Sequence, residues 1–209
     1  GPDDDGAIAP DKVALLPGQT ATFANYTSYV LGINGIMIDI AGLPSAAALT
    51  TDDFLFRVGK SSDPSTWSDG PLPTSLTVRP GAGLQGSDRV TLIWPDGAVA
   101  RQWLQVTVLA NADTGLSADD IFYFGNIIGE TGNSPVEAKV DAADLLGVRN
   151  SQRSFIEPAP IDFRYDFNRD RRVNALDMLI VNRNRSEFNG WLDLLTAPRG
   201  KAAREAIRA

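Results

Sequence analysis

The chain has 209 residues, 43% of them hydrophobic, with 19 basic and 26 acidic side chains and a formal net charge of -7. That is enough apolar material for a core, and the length suits one medium domain with a smaller one. Cys and His are both absent, which excludes disulfides, thiol nucleophiles, histidine bases and the usual zinc sites, so a metal here is expected to be a hard cation held by oxygen.

No apolar run approaches the roughly 20 residues that span a bilayer. The first 120 residues carry 14 acidic and 6 basic side chains, whereas residues 121–190 carry 10 and 9. An acidic first half argues against a nucleic-acid partner, which requires a clustered basic face. Gly1-Pro2 reads as the scar of a removed tag, so residues 1–11 are expected to be scar and linker.

Residues 12–120 are expected to form an all-β module, an antiparallel sandwich or jelly roll. Strands are predicted near 12–15, 20–25, 35–41, 54–58, 75–79, 89–94 and 99–109. They are separated by turn signals such as Pro17-Gly18, Asp69-Gly70-Pro71, Pro80-Gly81 and Pro95-Asp96-Gly97. Period-two alternation sets Leu104, Val106 and Val108 on one face of the last strand, and Arg101, Trp103, Gln105 and Thr107 on the other. The Pro95-Asp96-Gly97 turn predicts a hairpin with the strand before it. The expected core is Val90, Leu92, Trp94, Leu104, Val106 and Val108. Trp103 shares a face with polar groups. Two readings stand for it: a stacking platform for a sugar ring, or packing under a loop or against the second domain. Trp67, in a Ser/Asp/Pro-rich loop, is a second platform candidate.

Residues 121–190 contain a duplication. KVDAADLLGV (139–148) aligns without gaps to RVNALDMLIV (172–181), with Val, Ala, Asp, Leu and Val recurring at matching places. The second copy has the spacing of a calcium loop. Asp166, Asn168 and Asp170 take loop positions 1, 3 and 5. Arg172 offers its carbonyl at 7, Asn174 stands at 9 and Asp177 closes the loop at 12. A helix over 175–184 is predicted to bury Leu176, Leu179, Ile180 and Val181. Position 6, usually Gly for its positive φ, is Arg171, so strain is expected there.

This pattern resembles the type I dockerin domains of bacteria, which have two loop–helix repeats and a closing Asp. The resemblance covers roughly residues 122–187. It implies calcium, with two ions expected. In the first repeat Asp141 and Asp144 take positions 9 and 12. If the loop carries an insertion, Asn126, the Ile128 carbonyl and Glu130 take positions 1, 3 and 5. The resemblance also implies a cohesin-like protein partner. Its contact residues correspond here to Ala142, Ala143 and Arg149 in the first repeat, and to Ala175, Leu176 and Arg183 in the second. The expected whole is a non-catalytic calcium-binding module of a secreted bacterial protein that mediates assembly or surface attachment. The alternative is a carbohydrate-binding module, with polysaccharide as partner, appended to a degrading enzyme. Paired acids can hydrolyse glycosides, but the densest acids here are explained by the loops. Residues 154–161 read as a linker. Trp191, Leu192, Leu194 and Leu195 read as a docking segment within a tail, 191–209, that ends basic.

Overall fold

The computed structural model describes residues 2–187 and 190–199. The strands are β1 (Tyr26–Thr27), β2 (Gly35–Ile40), β3 (Phe54–Gly59), β4 (Ser68–Asp69), β5 (Ser75–Arg79), β6 (Asp88–Ile93), β7 (Gln102–Val108), β8 (Asp120–Asn126), β9 (Glu137–Ala138) and β10 (Leu192–Asp193). The two α-helices are α1 (Ala142–Asn150) and α2 (Ala175–Arg183). The chain is thus mainly β, and among the described residues its α-helices are confined to the repeat region.

Two sheets form a sandwich. One runs β1-β8-β7-β3-β4 and the other β2-β6-β5. Pairing is antiparallel except between β1 and β8. Alternation decides the interior, because successive side chains leave opposite faces of a strand. Leu104, Val106 and Val108 meet Val90, Leu92 and Trp94 in the core between the sheets, together with Phe54, Phe56 and Phe122. The expected core is therefore present, but the expected hairpin is not. β6 pairs with β2 and β5, while β7 pairs with β3 and β8. Pro95-Asp96-Gly97 carries the chain from one sheet to the other.

Two predicted strands are also replaced. Leu15 makes a single bridge to Tyr123, and residues 23–25 form a 3-10 turn capped by Thr22. Conversely, residues 121–126, grouped with the repeats on sequence grounds, belong to β8 and pair along the whole of β7. Their parity explains this. Phe122 and Phe124 face the sandwich core, while Ile121 and Tyr123 face the opposite side, so the segment needs cover on both faces.

That opposite side is a second core. Leu15, Tyr26, Trp67, Trp103 and Tyr123 from the sandwich pack with Val140, Val148, Phe167, Val173, Val181, Leu192 and Leu195 from the C-terminal part. Trp103 is 0% exposed and its Nε1–H donates to the Asp193 carbonyl at 2.8 Å. A Cβ at Gly125 would lie 2.8 Å from the Trp103 ring, so only Gly admits the indole there. Trp67 is buried against Tyr123, with its Nε1–H on the Ser61 carbonyl. Neither Trp offers a ring face to solvent. The expected stacking faces of Trp103 and Trp67 are therefore buried, Trp103 against the C-terminal part and Trp67 against Tyr123.

The tail segment docks within the chain. Leu192 and Asp193 pair with β9, and Thr196 bridges Thr20. Leu195 and Ala197 accept backbone bonds from Ala21 and Gly18. The rest of the basic tail, residues 200–209, lies outside the described residues. At the other end residues 2–7 form a 3-10 helix, and Asp5 pairs with Arg79 and Arg89. The expected linker is therefore tied to β5 and β6.

Candidate metal centre

The two repeats fold to the same local plan. Asp141 and Asn174 are the N-caps of α1 and α2. Each side-chain oxygen accepts the N–H two residues on, and each cap N–H donates to the acid three residues on, Asp144 or Asp177. These reciprocal boxes satisfy orphan helix donors. They also hold the closing carboxylate of each loop in place. The copies then cross-brace one another. Val173 pairs with Arg153, which follows α1, and Val140 exchanges bonds with Ser186, which follows α2. The same sequence separation relates the two valines and these two partners, so the unit has a pseudo-two-fold. Val148 and Val181 are buried, one in each helix.

In the second loop Asp166 and Asp177 are buried, Asn168 and Asn174 are half-buried, and Asp170 and Arg172 are exposed. Asp177 Oδ1 accepts from the Phe167 N–H at 2.9 Å, and Asp166 Oδ2 from the Arg171 N–H at 2.9 Å. Asp166 Oδ1 is buried and has no partner among the described residues, in a residue only 1% exposed. A buried carboxylate oxygen without a donor is costly, and a bound cation would remove that cost. Burial, with neighbouring carboxylates adding to it, pushes the Asp166 and Asp177 carboxyls up from their ordinary values. Arg169 and Arg171 both have positive φ, 57° and 67°. Arg171 thus adopts the conformation that Gly serves without strain. Arg169 is held there by bonds from its guanidinium to the Phe163 and Asp166 carbonyls.

Among the described residues no three Asp or Glu side chains converge as a cation cage. A hard cation in this loop would therefore draw on the amide oxygen of Asn168 and the Arg172 carbonyl as well as on Asp166, Asp170 and Asp177. That mixed oxygen set suits calcium.

The first loop departs from the expected register. Thr131 N–H donates to Asp144 Oδ1 as Phe167 N–H does to Asp177 Oδ1. Glu130 therefore stands where Asp166 stands, at position 1 rather than 5. Asn126 ends β8, and its Oδ1 accepts from the Arg101 N–H. Ile128 is a buried residue ahead of the loop. Neither belongs to the loop as folded. The sequence reading also missed Tyr26, Thr131, Asn133 and Arg164. The available signal was the acid itself. Aligning Glu130 with Asp166, and placing the insertion after it, gives the observed register.

On the helices, Ala142, Ala143, Leu146 and Arg149 are exposed on α1, and Ala175, Leu176, Leu179 and Arg183 on α2. Leu146 is 55% exposed and Leu176 54%. The expectation that α2 buries Leu176 and Leu179 is thereby corrected. Val181 supplies the inward contact and Ile180 packs at its margin. Two shallow depressions lie nearby, of about 300 and 330 Å³. The first has no acidic lining residue; in the second the acid is Asp166. Neither gathers the two carboxylates that glycoside hydrolysis needs.

No curated protein and no solved structure matches the chain. Residues 137–184, from the start of β9 to the cap of α2, match the family model of the dockerin type I domain, a calcium-binding module of protein–protein assembly.

Proposed function

We propose that the chain is a calcium-stabilised assembly module in which a dockerin-like pair of repeats is carried on a β-sandwich support. The observation that carries this reading is the second loop. It presents oxygen donors at calcium-loop spacing around a buried, unpartnered Asp166 oxygen, within the segment that matches the dockerin family. Calcium, when bound, would supply the partner that the buried Asp166 oxygen lacks. The chain's own part is to hold Asp177 through the α2 cap and to present α2 in a fixed orientation.

The partner face is assigned to the exposed sides of the helices. Ala175, Leu176 and Arg183, with Ala142, Ala143 and Arg149 on the other copy, offer small and apolar contacts flanked by a cation. A cohesin-like protein is the proposed partner, and a secreted, extracellular setting is the proposed location. No described helix is long and apolar enough to cross a membrane. The module is read as non-catalytic.

The test is capture by an immobilised type I cohesin, in calcium and in chelator. Binding in calcium, lost in chelator and weakened at least tenfold by Leu176→Asp together with Leu146→Asp, supports the assignment. Both are changed because each helix presents an exposed leucine there. Binding that ignores both chelator and substitutions overturns it.

A further inference from the structure

We infer that the first loop is a metal-free clasp fastening the repeats to the sandwich, so that the chain takes one divalent cation, in the second loop. The inference rests on the calcium reading above and goes beyond it in assigning unlike roles to the two copies.

The first loop's acids already have donors. Asp144 Oδ1 accepts from the Thr131 N–H at 3.0 Å, the Thr131 hydroxyl at 2.6 Å and the Asn133 amide at 3.2 Å. Its Oδ2 accepts from the Asp141 N–H at 2.8 Å. A carboxylate has about four acceptor sites, so Asp144 has its complement. Glu130 is 0% exposed. It accepts from the Gly132 and Asn133 N–H groups and from the Tyr26 hydroxyl, which reaches it from β1 of the sandwich. Releasing either acid to a metal would strand buried donors, Tyr26 and Thr131 among them.

The donors a cation needs are also missing. Two and four residues after Asp166 stand Asn168 and Asp170, whereas two and four after Glu130 stand Gly132 and Ser134. Glu137, further on, is drawn into β9, where it pairs with Asp193. A positive charge is already present, since the Arg164 guanidinium donates to the Thr131 carbonyl at 3.1 Å and lies over the Phe23 ring. In the second loop the Arg169 guanidinium likewise donates to the Asp166 carbonyl, but among the described residues no donor reaches Asp166 Oδ1.

Calcium chloride titrated into the chelator-stripped full chain, followed by calorimetry, decides the matter. One ion per chain is expected. Asp170→Ala, at an exposed position, should weaken uptake by more than tenfold. Glu130→Gln should leave stoichiometry and affinity unchanged. Tyr26→Phe, a milder change should Glu130→Gln fold poorly, should also keep one ion. It should lower the melting temperature by the same amount in calcium and in chelator. Two ions per chain, or loss of calcium uptake in Glu130→Gln or Tyr26→Phe, overturns the clasp. No uptake by the unaltered chain at millimolar calcium overturns instead the metal reading on which it rests.

Discussion

Asp144 and Asp177 occupy the same place in their repeats, and each closes a capping box on the helix that follows it. Around Asp144 the remaining acceptor sites are filled by Thr131 and Asn133, and the neighbouring Glu130 is reached by Tyr26. Among the described residues, the donors to Asp177 are backbone N–H groups, and its neighbour Asp166 keeps an oxygen without a donor. A loop motif thus specifies the helix start in both copies, but what meets the buried acids depends on the surroundings. Against the sandwich, hydroxyls and amides are at hand. At the second loop, the proposed ion would take that place.

The largest effect should come from the seam that both copies share. Trp103→Ala should cost about 3–5 kcal/mol. Calorimetry should show one transition at lower temperature, with and without calcium, because the indole is buried between the sandwich and the repeats. A variant that melts in two separate steps only in the repeats would show the copies to be independent of the sheet. Calcium at a thousand times its dissociation constant should add about 4 kcal/mol. That is roughly 10 °C in melting temperature for a chain of this size, read by thermal melts against chelator. Asp166→Ala should erase the rise.

The pH dependence separates the acids by sign. Glu130, Asp144, Asp166 and Asp177 all have raised values, burial first among the causes. A raised folded value means that the folded chain binds the proton more tightly than the unfolded one. The stability these groups contribute is then fully present below their ordinary range, near about 4, and is lost as pH rises through the raised values. Melts in chelator should therefore shift upward from pH 7 to about pH 5. In calcium the increment due to the ion should shrink over the same interval, because protons compete for the second loop. Asp5 works the other way. Its arginine partners hold it near about 2, so its contribution is lost only as pH falls through that value.

The smallest effect is a reciprocal one. Arg171 has a φ of 67°, so Arg171→Gly should stabilise the chain by about 1 kcal/mol. Gly132→Ala in the first loop should destabilise it, since φ is 73° and the new Cβ meets the Phe23 ring. Chemical denaturation with midpoints compared at constant slope measures both.

Much of this was legible along the chain. Loop spacing, the two caps and the paired valines repeat within short windows, and short-range hydrogen bonds obey local rules. Period-two parity placed Leu104, Val106 and Val108 inward and set Trp103 apart from them. What parity does not carry is the identity of the layer beyond a face. Trp103 looked like a surface residue because Gln105 and Thr107 share its side, but it packs in the core shared with the repeats. The Pro95-Asp96-Gly97 turn was visible, but which strands pair on either side of it is a long-range matter. The first loop was misregistered because Asn126, a polar residue near the right distance, belongs to β8 and is used by the Arg101 backbone.

By itself, then, the amino-acid order determined a β-rich first part, a twofold loop–helix unit and one oxygen-lined loop, since each depends on neighbours a few residues away. Tertiary structure alone decided that the unit shares a core with the sandwich, and that Tyr26, more than 100 residues from Glu130 in sequence, supplies the hydroxyl that takes up a carboxylate. The reason is physical. Hydrogen-bond donors for a buried acid are counted in space, and no spacing rule along a chain can count them.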